Sequence, residues 1–107
     1  MGKVLEQISE REAAFIAASK VFFVGTAATS TEQHVNISPK APGNSCVVLG
    51  PHEVAYADLT GSGAEAAAHV LQNGRMTIMF VNLERGPPKI LRLHGKATLI
   101  LAENVPT

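Results

Sequence analysis

Hydrophobic and polar residues recur at two different periods along this chain, and each change of period marks an element. From Ser9 to Ser19 the pattern predicts a helix. Ser9 and Glu12 make a capping box, Ile8 can staple against Ala13, and Phe15 with Ile16 form the docking face. Glu10, Arg11 and Glu12 are left in water. Lys20 to Ala27 (KVFFVGTA) is β-branched and aromatic, and reads as the first strand. After a polar turn from Thr29 to Gln33, the run His34 to Ser38 alternates strictly. Val35 and Ile37 take one side; His34, Asn36 and Ser38 take the other, with Lys40 beyond Pro39. Pro39 puts this end at a sheet edge or a bulge.

The stretch from Glu53 to Leu83 organises the rest. Ser45 to Leu49 and Glu53 to Asp58 read as two strands joined through Gly50-Pro51-His52, a hairpin turn. Thr60-Gly61-Ser62-Gly63 then permits a tight turn, and Ser62 with Glu65 repeats the capping-box pattern. Ala64, Ala67, Ala68 and Leu71 fall on one helical face, small enough to lie close on a sheet, and Asn73-Gly74 ends the helix. Pairing His69 with Glu65 on the helix surface follows from that assignment. Arg75 to Leu83 is apolar without alternation, which predicts a central strand buried on both faces. Glu84 to Pro88 is a turn. Lys89 to Leu101 is the last and longest strand, with Arg92, His94, Lys96 and Thr98 on one side and a bend or bulge at Gly95.

At least five strands in hairpin order with two short helices define a mainly β, α+β fold, an antiparallel sheet curled or closed upon itself. The 107 residues suit one domain, residues 1–107, and no repeat or linker divides them. Formal net charge is zero and the basic residues do not cluster, which argues against nucleic acid or an anionic membrane as partner. No apolar run reaches spanning length, and no signal-peptide stretch opens the sequence. The single cysteine, Cys46, excludes an internal disulfide and reads as a buried structural thiol in a reducing, cytoplasmic setting.

Several chemistries compete. Gly61-x-Gly63-x-x-Ala66 between a strand and a helix, with Glu84 ending the next strand, matches a dinucleotide-binding pattern. Hairpins on both sides and the short chain weigh against the doubly wound sheet it requires. The same turn and helix start could still receive a phosphate. His34, His52, His69 and His94 lack metal-ligand spacing, although His34 and His94 could meet in space at a metal or haem. No Ser-His-Asp set or carboxylate pair stands out, so a bound cofactor would carry any reaction. The alternating strand admits two readings. Its polar side faces bulk water, or it forms the polar wall of a ligand site in which Asn36, Ser38 and Lys40 meet a phosphate or a heteroaromatic edge.

HVNISPK, AYADLTGSG, the helix AEAAAHVLQNG, RMTIMF and KILRLHGKA, in this order, resemble the pyridoxamine 5′-phosphate oxidase-like family of FMN-binding split barrels, from about Ser9 to Leu101. The resemblance is greatest to members carrying D-L-T-G-S-G. It implies an antiparallel split β-barrel, a homodimer holding two FMN molecules at its interface, and a flavin-dependent oxidation or reduction of an unassigned small molecule. By position it implies cofactor contacts from Lys40, Tyr56 and Ser62, and from Arg92 approaching out of the partner subunit. Asn36, Ser38 and Thr60 join these from side-chain direction and turn chemistry.

The sequence also departs from the family pattern. Gly63-Ala64 replace an Arg-Lys pair that grips the FMN phosphate, His34 or Val35 replaces an arginine opening the second strand, and Ile90 replaces a glutamine. Each charge-assisted hydrogen bond lost this way is worth about 1.5–3 kcal/mol, offset in part by backbone N–H groups of the glycine turn. The family usually continues past this chain's end with more strand and a segment bearing substrate contacts, which implies a shortened form or an edge covered by a partner chain. Two expectations stand beside the nicotinamide and haem alternatives: a dimeric flavoprotein, and a dimeric binding module that has lost its flavin.

Overall fold

A computed structural model describes residues 4–40, 46–57, 63–83 and 89–100. Helix α1 (Glu10–Ala18) starts where expected. The Glu12 carboxylate accepts from the Ser9 N–H at 3.0 Å and from the Ser9 hydroxyl, closing the capping box. Those bonds, the side-chain one first, hold the Glu12 carboxyl below its usual pKa. Ile16 is buried and Phe15 half-buried, so the predicted docking face is the real one. The Ile8 N–H donates to the Pro51 carbonyl at 2.7 Å, tying the approach to α1 onto the hairpin turn.

Strands β1 (Phe22–Ala27), β2 (Val35–Lys40), β5 (Arg75–Asn82) and β6 (Lys89–Lys96) form one sheet in the order β2-β1-β5-β6. Strands β3 (Cys46–Gly50) and β4 (Glu53–Tyr56) form a separate hairpin with a register shift between Val48 and Gly50. All described pairs are antiparallel. This is a mainly β, α+β fold whose two sheets remain unclosed in a split-barrel-like arrangement. β2 is an edge strand, as Pro39 requires.

The core lies between the inner face of the large sheet and the hairpin. Phe22, Val24, Ile78 and Phe80 are buried with Ile16, and Cys46, Val48, Val54 and Tyr56 pack on them. Phe22 meets the Tyr56 ring edge-on at 5.6 Å and Phe80 at 5.5 Å. Burial raises the Cys46 thiol to about 11, consistent with a structural role.

Helix α2 (Gly63–Asn73) contacts β1, β2 and β5. Gly74 ends it at φ +70°, its N–H donating to the Val70 carbonyl at 2.9 Å, as the Asn73-Gly74 pair implies. The docking face differs from the expected one. Ala68 and Leu71 point to solvent, while His69 is buried and Val70 and Asn73 are half-buried. Over residues 68–73 the docking side is therefore not the expected one, and polar bonds from His69 and Asn73 to β1 orient the helix.

Two further expectations change, and the dinucleotide alternative that the flanking hairpins weighed against finds no support. β5 is central, with Ile78 and Phe80 buried, but Thr77 and Met79 on its outer face are only half-covered. β6 ends at Lys96, beside the bond from the Ala97 N–H to the Gly74 carbonyl. β4 and β5, which flank α2, lie in different sheets, so they form no parallel βαβ unit and the dinucleotide pattern lacks its scaffold. The Thr60–Ser62 turn, its capping box and Glu84 lie outside the described residues. No described helix is long and apolar enough to cross a membrane.

Candidate functional site

Period-two alternation fixes where the β2 side chains go. Asn36, Ser38 and Lys40 face inward; Val35 and Ile37 face out, each about 70% exposed. Of the two readings of this strand, the polar wall is the one observed. Ser38 and Lys40 are buried and Asn36 half-buried. The Asn36 Nδ2 amide donates to Ser38 Oγ at 3.0 Å, which fixes the amide plane. Lys40 is the register partner of Phe22, and its Nζ lies 6.0 Å from the centre of the Tyr56 ring. Four of the residues singled out from sequence thus share one side of the sheet: Asn36, Ser38, Lys40 and, from β4, Tyr56.

Arg92 does not join them. It is the register partner of Met79, on β6, with β1 and β5 between it and β2, and it lies on the opposite, outer face. Thr60 and Ser62 fall outside the described residues. His34 and His94 do not meet: one precedes an edge strand and the other sits on the opposite edge strand, with its Nδ1 3.0 Å from Thr77 Oγ1. Among the described residues no cluster of His, Cys, Asp or Glu could hold a metal.

The outer face carries an open cavity of about 540 Å³, lined by Phe23, Val35, Ile37 and Met79 beside Arg92 and His94. Arg75 and Lys96 are direct register partners on this face, so like charges oppose each other there. The arrangement can take a molecule with an apolar ring and a negative group.

Sequence reasoning missed one buried polar contact. His69 Nδ1 lies 2.9 Å from Thr26 Oγ1, and both residues are 4% exposed. Thr26 is in turn the register partner of Asn36. His69 and Asn73 stand one turn apart on the same helical side, a signal that the more numerous alanines hid.

An unclosed antiparallel pair of sheets, with a polar wall on one face and an apolar, cationic cavity on the other, defines a split-barrel-like protein. The chain belongs to the pyridoxamine 5′-phosphate oxidase family, whose sequence pattern it matches over residues 8–105. It is 38% identical over 96 residues to the Pyridoxamine 5′-phosphate oxidase family protein ustO of Aspergillus flavus. That alignment covers 89% of this chain and 38% of the relative, so the chain spans well under half of the relative's length. No solved structure matches the chain.

Proposed function

We propose that this chain is a single flavin-binding domain of a cytoplasmic, FMN-dependent oxidoreductase that works as a homodimer. The observation that carries this reading is the inverted amphipathicity of β2, whose polar side chains face in and whose Val35 and Ile37 face out. Ser38 and Lys40 are buried with partners, Ser38 accepting from Asn36, and such an ordered, inward-facing polar row is what a ligand wall requires. The donors fit a flavin: an oriented amide at Asn36, an ammonium at Lys40 beside the Tyr56 ring, and no carboxylate on the described part of the wall. When bound, FMN would supply the electron-transfer chemistry that these side chains cannot. In this reading Ser38 orients Asn36, Lys40 supplies positive charge, and Thr60 and Ser62 hold the phosphate. Arg92, on the outer face, serves the flavin of the partner subunit.

The half-covered outer side of β5 and the exposed Val35 and Ile37 support a second copy covering this face. Titrating FMN into the purified protein, with flavin fluorescence and light scattering as readouts, tests both halves. Saturable quenching by a dimer is expected. A dimer that takes up no FMN would leave only the second reading, a flavin-free binding module. Gly63-Ala64 in place of the family's basic pair favours that module.

A further inference from the structure

We propose that His69 is a positioning residue for the flavin site: through Thr26 it sets the pose of α2 against the polar wall of β2. The proposal rests on the flavin reading above for its ligand, and on the described contacts for its mechanism.

Over residues 68–73 apolar contact does little to fix this helix. Leu71 is 74% exposed and Ala68 faces solvent, which leaves Val70 as the one large apolar side chain of residues 68–73 turned even partly inward. Apolar burial is also non-directional, so it would let the helix slide or roll. Hydrogen bonds fix direction. Five of them tie α2 to the first strand and the turn after it, and three are the shortest. His69 Nδ1 and Thr26 Oγ1 lie 2.9 Å apart, Asn73 Nδ2 donates to the Ala27 carbonyl at 2.8 Å, and the Thr29 N–H donates to Gln72 Oε1 at 3.1 Å. Only the first joins two buried side chains, where water does not compete and a lost partner strands a polar group.

The same bond points at the site. Thr26 faces Asn36 across the β1–β2 ladder, and Asn36 holds Ser38 through its amide at 3.0 Å. His69 also lies six residues into α2, about 9 Å along the axis from its start. A small roll about this anchor is therefore carried along the helix to its first turn. An imidazole suits the position because it fills the gap between helix and sheet while keeping a polar atom on Thr26.

The test uses His69→Phe, Thr26→Val, both together, His69→Asn, and Leu71→Ala on the solvent side of α2. FMN affinity is measured where circular dichroism shows each variant folded, and hydrogen exchange of α2 is followed in flavin-free protein. His69→Phe and Thr26→Val should each weaken FMN binding about tenfold, and the double variant no further. His69→Asn, which keeps a polar atom near Nδ1, should stay within about threefold. Exchange in α2 should quicken in both single variants, with β1 and β5 unchanged. Thr26→Val preserves volume and decides the matter if His69→Phe fails to fold. A lower melting temperature with unchanged FMN affinity would make the bond merely structural and overturn the proposal. So would an equal loss in Leu71→Ala. If the wild-type protein takes up no FMN, the flavin reading fails separately. Exchange in α2 then decides: unaltered protection in Thr26→Val removes the positioning role.

Discussion

Ile37 and Ser38 are adjacent in β2, yet Ile37 is 71% exposed and Ser38 is 1% exposed. A solitary subunit with this strand would show water its apolar side and hide its hydroxyl. The cost of that inversion is removed if a second copy covers Val35 and Ile37. Ile37→Glu should then leave secondary structure intact, since the side chain touches no core of its own subunit, and convert dimers to monomers. Light scattering after size-exclusion chromatography reads the result. An unchanged dimer would place the interface elsewhere.

Gly74 closes α2 at φ +70°, a region where a Cβ is strained, and an added Cβ would stand 3.4 Å from the Ala97 carbonyl oxygen. Gly74→Ala is therefore expected to destabilise the protein by about 1–2 kcal/mol. For a chain near 100 residues each kcal/mol lowers the melting temperature by about 4–8 °C. Thermal unfolding followed by circular dichroism would measure it. An unchanged transition would show that the turn can re-form with a negative φ.

Much of this fold was legible in the sequence because local physics decides local elements. The Ser9–Glu12 box, the strict alternation of β2 and the Asn73-Gly74 stop each produced the element they predict. What alternation could not supply was direction. It separates Asn36 and Ser38 from Val35 and Ile37, but which side faces the core depends on α2 and the β3–β4 hairpin, far away in sequence. The α2 face was misread for a related reason. Alanines are compatible with either side of a helix, so the decisive residue was His69, whose partner Thr26 lies 43 positions away. Arg92 was visible as a polar residue on a strand, but only the β2-β1-β5-β6 order shows that it stands apart from Lys40.

The Cys46 thiol sits among core side chains, and its burial raises the pKa from 9.0 to about 11. Two consequences follow. At pH 8 the native protein should hold about 100-fold less thiolate than an unfolded chain, so a disulfide reagent should react slowly until denaturant is added. Between pH 9 and pH 11 the unfolded state loses the proton first. The folded state then binds more protons, and stability falls as pH rises through that window. Denaturant titrations of wild type and Cys46→Ala would check the sign: the Cys46 contribution to the decline above pH 9 should vanish in the variant. An identical decline in both would assign it to other groups.

Lys40 and Arg92 occupy opposite faces of one sheet, so a flavin reaching both must lie between two subunits. Lys40→Met and Arg92→Ala should each weaken FMN binding by about 10- to 150-fold, the range for losing one charge-assisted hydrogen bond. Mixing the two variants separates the possible geometries. If each site takes Lys40 from one subunit and Arg92 from the other, a mixed dimer carries one doubly damaged site and one intact site. Random exchange of subunits would then restore tight binding at about a quarter of all sites. If both residues acted within a single subunit, every site in the mixture would keep one lesion and no tight binding would return. Flavin titration of the mixture after subunit exchange, against each variant alone, distinguishes these outcomes, and a titration with no tight phase would remove Arg92 from the partner's site.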